Sequence, residues 1–535
     1  MASIRSFREC SVGVVRGAVG VFVIAACAAG CGGGGSGSAS ASPNPGDPPS
    51  APGGGWTPGV FAPYASFAGQ CRVPRPGTND LPGSTLTENN WLRSWHHELY
   101  LWYDEIVDRN PALYSTPDYF ELLKTPELVD GKPKDRFHYM MPTDEYLAYS
   151  QSGVLPGYGA QWVIVSDEPP LRVAVGYVHP GSPAEMAGIG RGTEVLRVDG
   201  VHLASVSSTA ELAVVSAGLF PDTVGETHVF EVLDVGAAEP RAVPLTSEEV
   251  TLVPVQNVKV VQTQHGAVGY LHFTDHLATA EDMLVDAFTE LRDAGVDHLV
   301  LDIRYNGGGY LAIASQLAYM IAGPTHTAGR IFESMRFNDK HTTTNPVTGD
   351  PLIPMPFFDI TVGFSRAPGE PLPTLNLARV YVLTGSSTCS ASESIINALR
   401  GVDVEVIQIG GTTCGKPYGF YPGHNCGTTY FSIQFEAANA KGFADYLNGF
   451  SPENTPSDRG VPVPGCYVAD DISKPLGDPQ EARFAAALRH IAGEGCPPIP
   501  FAGVSGVSKP AAPVITGDGV APKPPWLENR MVVEP

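Results

Sequence analysis

Basic residues are scarce in this chain: 33 Lys and Arg stand against 56 Asp and Glu over 535 residues, a formal net charge of -23. Such a balance opposes nucleic acid or an anionic membrane surface as a partner and describes a solvated acidic exterior. Common catalytic signatures are missing as well. No Gly-x-Ser-x-Gly elbow and no His-Glu-x-x-His occurs anywhere, which removes the usual histidine-based and zinc-based hydrolase readings. The glycines at 307–309 are contiguous and do not make a dinucleotide fingerprint. His96-His97 has no partner at i+4, so no metal site is expected there. The apolar run Gly17 to Ala26 is too short to span a bilayer, and there is no internal repeat.

What is present points to an exported, multi-part molecule. Apolar residues make up 43% of the chain, enough to fill cores, and the length suggests about three domains plus tails. Arg5, Arg8 and Arg16 precede the short apolar run, so residues 1–26 read as a signal peptide. The run ends Val23-Ile24-Ala25-Ala26-Cys27 and resembles a bacterial lipobox, which makes Cys27 the expected lipid attachment point. Cys31 is the alternative, with alanine where a large aliphatic residue is usual. Residues 27–58, rich in Gly, Ser, Ala and Pro, form a tether, and 497–535 is a Pro-rich tail expected to be exposed or draped on the surface.

Between the tails the pattern changes three times. In 59–149, Trp91, Trp95, Leu99, Trp102, Tyr103 and Ile106 follow a spacing close to helical and predict an amphipathic helix whose aromatic face is core. Residues 150–255 read as short strands and turns. From 256 to 496 strands and helices alternate, with strands over Ala267–Phe273 and His298–Arg304 and helices over Glu281–Ala294 and Tyr310–Ile321. Alternation of this kind implies parallel crossover units.

Two segments in the last region carry chemistry. Asn306-Gly-Gly-Gly309 lies between a strand end and a helix start, where backbone N–H groups can face a developing oxyanion, although a tight turn would look the same. Further on, Ser390-Ala-Ser-Glu393 opens an apolar helical stretch. By itself it is a helix capping box. A strand and Gly410-Gly-Thr-Thr-Cys-Gly-Lys416 follow, which sets a lone lysine behind buried apolar chain. A serine hydroxyl needs a base, and an amine serves only when desolvation favours its neutral form. A serine-lysine dyad is the hydrolytic chemistry these residues allow.

Residues 150–255 hold Gly181-Ser-Pro-Ala-Glu-Met-Ala-Gly188 followed by Val198-Asp-Gly200, and through them resemble a PDZ domain. Gly157, Tyr158, Gly159 and Ala160 take the place of the loop that receives a peptide's terminal carboxylate before strand addition. The region from 256 to 496 resembles the carboxyl-terminal processing peptidases, or tail-specific proteases. Leu301-Asp-Ile-Arg-Tyr-Asn-Gly-Gly-Gly309, Ser390-Ala-Ser-Glu393 and Cys414-Gly-Lys416 carry that resemblance, with the PDZ-like segment preceding them as it does in that family. It implies an α/β, crotonase-like catalytic core with a PDZ-like β-rich domain and an N-terminal helical region. It further implies Ser390 as nucleophile, Lys416 as general base and Glu393 as auxiliary carboxylate. The N–H groups of Ala391 and of Gly308 or Gly309 would form the oxyanion hole. No cofactor is implied; the partners are polypeptides with exposed C-terminal tails, and the only membrane attachment is the lipid. The location that follows is the bacterial envelope, facing the periplasm.

Cysteines stand beside both principal residues, at Cys389 and Cys414. A cysteine nucleophile is conceivable, but no motif places a histidine beside it, and export favours disulfides. Cys71, Cys389, Cys414, Cys426, Cys466 and Cys496 allow fifteen connectivities. The preferred pairs are Cys414 with Cys426, across a hairpin at Pro422–Asn425, and Cys466 with Cys496. Two other functions stay open: a peptide-binding envelope lipoprotein with an inactive dyad, and a thioester-processing enzyme, which the export signal opposes.

Overall fold

The computed structural model describes residues 56–166, 170–456 and 460–499, together with the backbone of 530–531. The signal peptide, Cys27, Cys31 and the tether to residue 55 lie outside the described residues. No helix among those described is long and apolar enough to cross a membrane.

Helix α1 spans Thr85–Leu99 and starts at Ser84, whose Oγ accepts the N–H of Thr87 while Ser84 N–H donates to Thr87 Oγ1. Trp91, Trp95 and Leu99 are buried, with the two indoles stacked at 5.1 Å, so the aromatic face is core as its spacing predicts. An aromatic pair of this kind adds about 0.5–1.5 kcal/mol beyond its area. Trp102, Tyr103 and Ile106 fall past the helix, where Tyr100 has turned extended.

The PDZ-like domain is an antiparallel sheet of β1 (Ala160–Ser166), β2 (Arg172–Val178), β3 (Glu194–Val198), β4 (Thr227–Leu233) and β5 (Arg241–Thr246), in the order β5-β4-β3-β2-β1. Helix α2 (Thr209–Leu219), capped reciprocally by Ser208 and Glu211, packs on it. Alternate strand residues such as Val173, Val175, Val195, Phe230 and Val232 point inward with Tyr158 and Trp162 to make a separate apolar core.

The remaining domain is built on one six-stranded sheet. Strands β6 (Val255–Thr263) and β7 (Gly266–Phe273) form an antiparallel pair; β8 (His298–Asp302), then β10 (Arg379–Thr384), β11 (Glu405–Gly410) and β12 (Gly465–Tyr467) continue it in parallel. Helix α3 (Ala280–Asp293) crosses from β7 to β8. After β8 come the two-residue strand β9 (Gly309–Tyr310) and helix α4 (Leu311–Thr327), which breaks at Gly323. Strand β10 (Arg379–Thr384) leads to α5 (Ala391–Gly401) and β11 (Glu405–Gly410); β12 (Gly465–Tyr467) and α6 (Ala482–Ile491) complete the domain. The parallel strands are near-continuous apolar runs because both faces are covered. Two residues of the C-terminal tail, Arg530–Met531, form strand β13, parallel to β9.

Three disulfides occur among the described residues: Cys71–Cys426, Cys389–Cys414 and Cys466–Cys496. The third is as expected, and the Cys414–Cys426 pairing is not. The expected hairpin does form, between Gly423–Asn425 and Thr428–Phe431, but its turn lies at Cys426 and Gly427. That carries Cys426 to the hairpin tip beside the N-terminal region, where Cys71 meets it. Cys414 instead faces Cys389, one residue before the serine.

Candidate active site

Ser390 sits where β10 gives way to α5, as the residue before the helix, with φ 62° and ψ -116°. Non-glycine residues avoid this region, and holding one there costs about 1–3 kcal/mol unless the surroundings over-determine it. They do so here. The carbonyl of Asn306 accepts both the N–H of Cys389 and the hydroxyl of Ser392, each at 3.1 Å, and Thr388 Oγ1 donates to Ile303 O at 2.9 Å. Ser390 is fully buried, and its Oγ has no hydrogen-bond partner among the described residues.

Glu393 completes only the reciprocal half of the expected cap: Ser390 N–H donates to its Oε2 at 3.0 Å. The same oxygen accepts Lys416 N–H at 2.8 Å, and Oε1 accepts Thr413 Oγ1–H at 2.5 Å and Gly415 N–H at 2.8 Å. One buried carboxylate therefore ties the serine turn to the loop bearing the lysine. Burial pushes the Glu393 carboxyl above its ordinary range, and these hydrogen bonds oppose the shift without cancelling it.

Lys416 follows β11 by six residues, on the loop leading to Tyr418–Gly419. It is fully buried, with Nζ 4.6 Å from the ring centres of both Phe137 and Phe420. Gly415 is a glycine of necessity. Its φ is 84°, and a Cβ there would stand 2.0 Å from the carbonyl oxygen of Leu447.

The glycine loop is held from the other side. His276 N–H donates to Gly308 O at 3.1 Å, and Tyr310 N–H donates to His276 O at 2.9 Å. Asn306 Oδ1 accepts Gly308 N–H at 2.9 Å and His276 Nδ1–H at 3.0 Å. Burial pushes His276 down to about 3, so it is neutral. Gly308 N–H is thus engaged. In a parallel ladder the groups of one residue all face the same edge; with Tyr310 and Gly308 turned to His276, Gly309 N–H faces the opposite edge, which β13 takes. A Cβ on Gly309 would lie 2.5 Å from His276 O. Ala391, first residue of α5, has an N–H without an intrahelical acceptor.

Gly157, Tyr158, Gly159 and Ala160 lie apart from this cluster. They line a cavity of about 470 Å³ between the PDZ-like sheet and the core, which reaches Leu219, Tyr305, Ser386 and Asp470 but neither Ser390 nor Lys416. Gly157 pairs with Glu248, and the carbonyls of Tyr158 and Gly159 accept N–H groups of Ala184 and His179 at 3.0 and 2.8 Å. Across the same junction Arg191 reaches from the PDZ-like domain to Asp470 at 2.7 Å and to Tyr305 Oη at 2.6 Å. Asp470 and Glu481, each at 2.8 Å, flank the buried Arg304. Despite burial, which raises it, Asp470 is held well below the usual carboxylate range by Arg483, Arg304 and Arg191.

Residues 267–419, which contain the glycine loop, the serine turn and the lysine, match the family model described as peptidase family S41. The chain carries an S41 peptidase domain. It is 26% identical over 284 residues to a carboxyl-terminal-processing protease of a Picosynechococcus species, covering 53% of this chain and 60% of that relative. A chloroplastic C-terminal processing peptidase of Tetradesmus obliquus is 32% identical over 151 residues, covering 26% of this chain and 32% of the relative. The chain thus spans less than two thirds of these relatives. A solved structure from Bacteroides fragilis, assigned to the S41 proteases, superposes with a TM-score of 0.55 at 23% identity over 75% of this chain and 97% of that one. That likeness speaks for the fold.

Sequence reasoning singled out Ser390, Glu393 and Lys416, and the S41 domain brings them together around one carboxylate. It missed Asn306, His276 and Thr413, which hold the glycine loop and Glu393. Asn306 had a signal, since Asn before glycines bonds its own backbone two residues on.

Proposed function

We propose that the chain is a serine endopeptidase of the C-terminal processing type, acting on exported polypeptides. The observation that carries this reading is the single buried carboxylate of Glu393, bonded to the N–H groups of both Ser390 and Lys416 inside an S41 domain. Ser390 Oγ attacks the scissile carbonyl carbon as Lys416 Nζ takes its proton. The oxyanion lies on the N–H groups of Gly309 and Ala391. Lys416 then protonates the leaving amine, and water, deprotonated in turn, frees the acyl group from Ser390. An extended substrate backbone beside Gly309 suits this scheme, and the chain's own Arg530–Met531 pairs along that edge. Gly157, Tyr158, Gly159 and Ala160 capture the substrate's C-terminal end at the cavity they line. Export through residues 1–26 and acylation at Cys27, or at Cys31, belong to the same proposal and rest on the sequence; three disulfides suit an oxidising compartment.

The test is to incubate exported proteins with the chain and with its Ser390→Ala variant and to map new C-termini by mass spectrometry. New ends are expected only with the wild type, and amidating a substrate's terminal carboxylate should weaken cutting of that polypeptide while sparing a small acyl ester. Identical C-termini in both samples would leave a peptide-binding protein as the function.

Glu393 supplies a second expectation, with two opposite signs. Its ionised form accepts four N–H and O–H donors, so activity should fall as pH drops through the carboxyl's pKa, which burial raises above its ordinary range. Stability linked to the same group moves the other way. A folded pKa raised above the unfolded value means that the folded chain holds more protons between the two, so stability falls as pH rises through that window. Glu393→Gln should flatten the acid limb, lower kcat and cost about 1–3 kcal/mol, because an amide nitrogen turns two donors into unmet ones. A pH–rate series beside urea melts at matched pH checks both signs.

A further inference from the structure

The disulfide Cys389–Cys414 joins the residue before Ser390 to the residue two before Lys416, across 25 positions of sequence that contain α5 and β11. Among the described residues it is the only covalent link between the serine turn and the lysine loop. Its sulfurs and the Glu393 carboxylate lie within 4.8 Å of one another, with Cys414 Sγ 3.4 Å from Oε2. The crosslink is therefore part of the cluster that sets the two residues, and it anchors the position next to a backbone held at φ 62°.

From this geometry we infer that Cys389 and Cys414 are a positioning pair for the reaction, and that the state of their bond sets the rate of acylation. The inference rests on the peptidase reading of the same site. With the bond formed, Ser390 and Lys416 are held at one separation. With it opened, the loop 411–417 depends on hydrogen bonds alone, and a displacement on the order of 1 Å at the reacting groups costs about a hundred-fold.

Cys389 is fully buried and Cys414 is half-buried, which directs a reductant to Cys414. A dithiol's thiolate attacks Cys414 Sγ, the Cys389–Cys414 bond breaks, and Cys389 leaves as a thiolate that takes a proton. The second thiolate of the reductant displaces Cys414 from the mixed disulfide. Two electrons have passed to the cysteines, and the reductant departs as a cyclic disulfide. A chain in a reducing compartment would then be slow, and oxidation would switch it on.

The experiment follows acylation of the full chain by a small serine-directed ester during graded dithiol treatment, with differential alkylation and mass spectrometry reporting each cysteine pair. As Cys389 and Cys414 become thiols, kcat should fall about a hundred-fold with KM nearly unchanged. Reoxidation should restore it, and the melting temperature should track the other two disulfides. A Cys389→Ala, Cys414→Ala double variant should be slow and indifferent to reductant. Should that variant not fold, the wild-type time course decides alone. Full kcat in a sample whose Cys389 and Cys414 are alkylated would overturn the inference and leave the peptidase reading standing. An oxidised wild type that is never acylated would overturn both.

Discussion

Ser390→Ala is expected to lower peptidase turnover by about a thousand-fold or more while leaving the fold as stable as before. The first half follows from the proposed role of the oxygen. The second follows from its surroundings: Oγ is buried and bonded to nothing among the described residues, while the N–H that reaches Glu393 stays in place. Removing an unsatisfied buried hydroxyl is neutral or slightly stabilising. Turnover of a tailed substrate and a thermal melt, run together, separate loss of the nucleophile from loss of the molecule. Normal cutting by the alanine variant would move the nucleophile elsewhere.

Lys416→Arg and Lys416→Met should each be as inactive as the serine variant, for different reasons. A guanidinium keeps its proton at every working pH and cannot serve as base, and it must fit where Nζ now lies between the Phe137 and Phe420 rings. Methionine keeps nearly the volume of lysine with no amine at all, so it should fold well. Single-turnover acylation, with folding checked by melts, is the measurement. Substantial acylation by the methionine chain would transfer the base role to another group, such as His276, whose buried Nε2 has no hydrogen-bond partner among the described residues.

Much of this architecture was legible before any coordinates. The strand expected over Ala267–Phe273 begins only one residue earlier, at Gly266, and α3 is shifted by one residue because its apolar face is unambiguous. Ser390, Glu393 and Lys416 could be singled out because each sits in a short motif with a chemical reason. Cys466–Cys496 could be paired as well, but the partners of Cys414 and Cys426 could not, since the answer depended on whether a hairpin turned at residues 422–425 or at 426 and 427. Nor could Arg191 and Asp470, which lie 279 positions apart and meet only once two domains have packed. The local half of Asn306's work, its Oδ1 on Gly308 N–H, had a signal in the glycines that follow it; the rest, bonds to His276, Cys389 and Ser392, joins segments far apart in sequence.

The Cys71–Cys426 bond joins residues 355 positions apart, and the chain between them includes the whole PDZ-like domain and both segments of the candidate site. Synthesis runs from the N-terminus, so Cys71 exists long before its partner and must wait as a thiol until nearly the whole molecule has been made. The clasp therefore records completion: it closes only on a chain that has passed residue 426, and by then Ser390 and Lys416 are already inside the ring. Once shut, it also holds the molecule together after injury, because a cut in any loop between the two cysteines leaves one covalent piece rather than two.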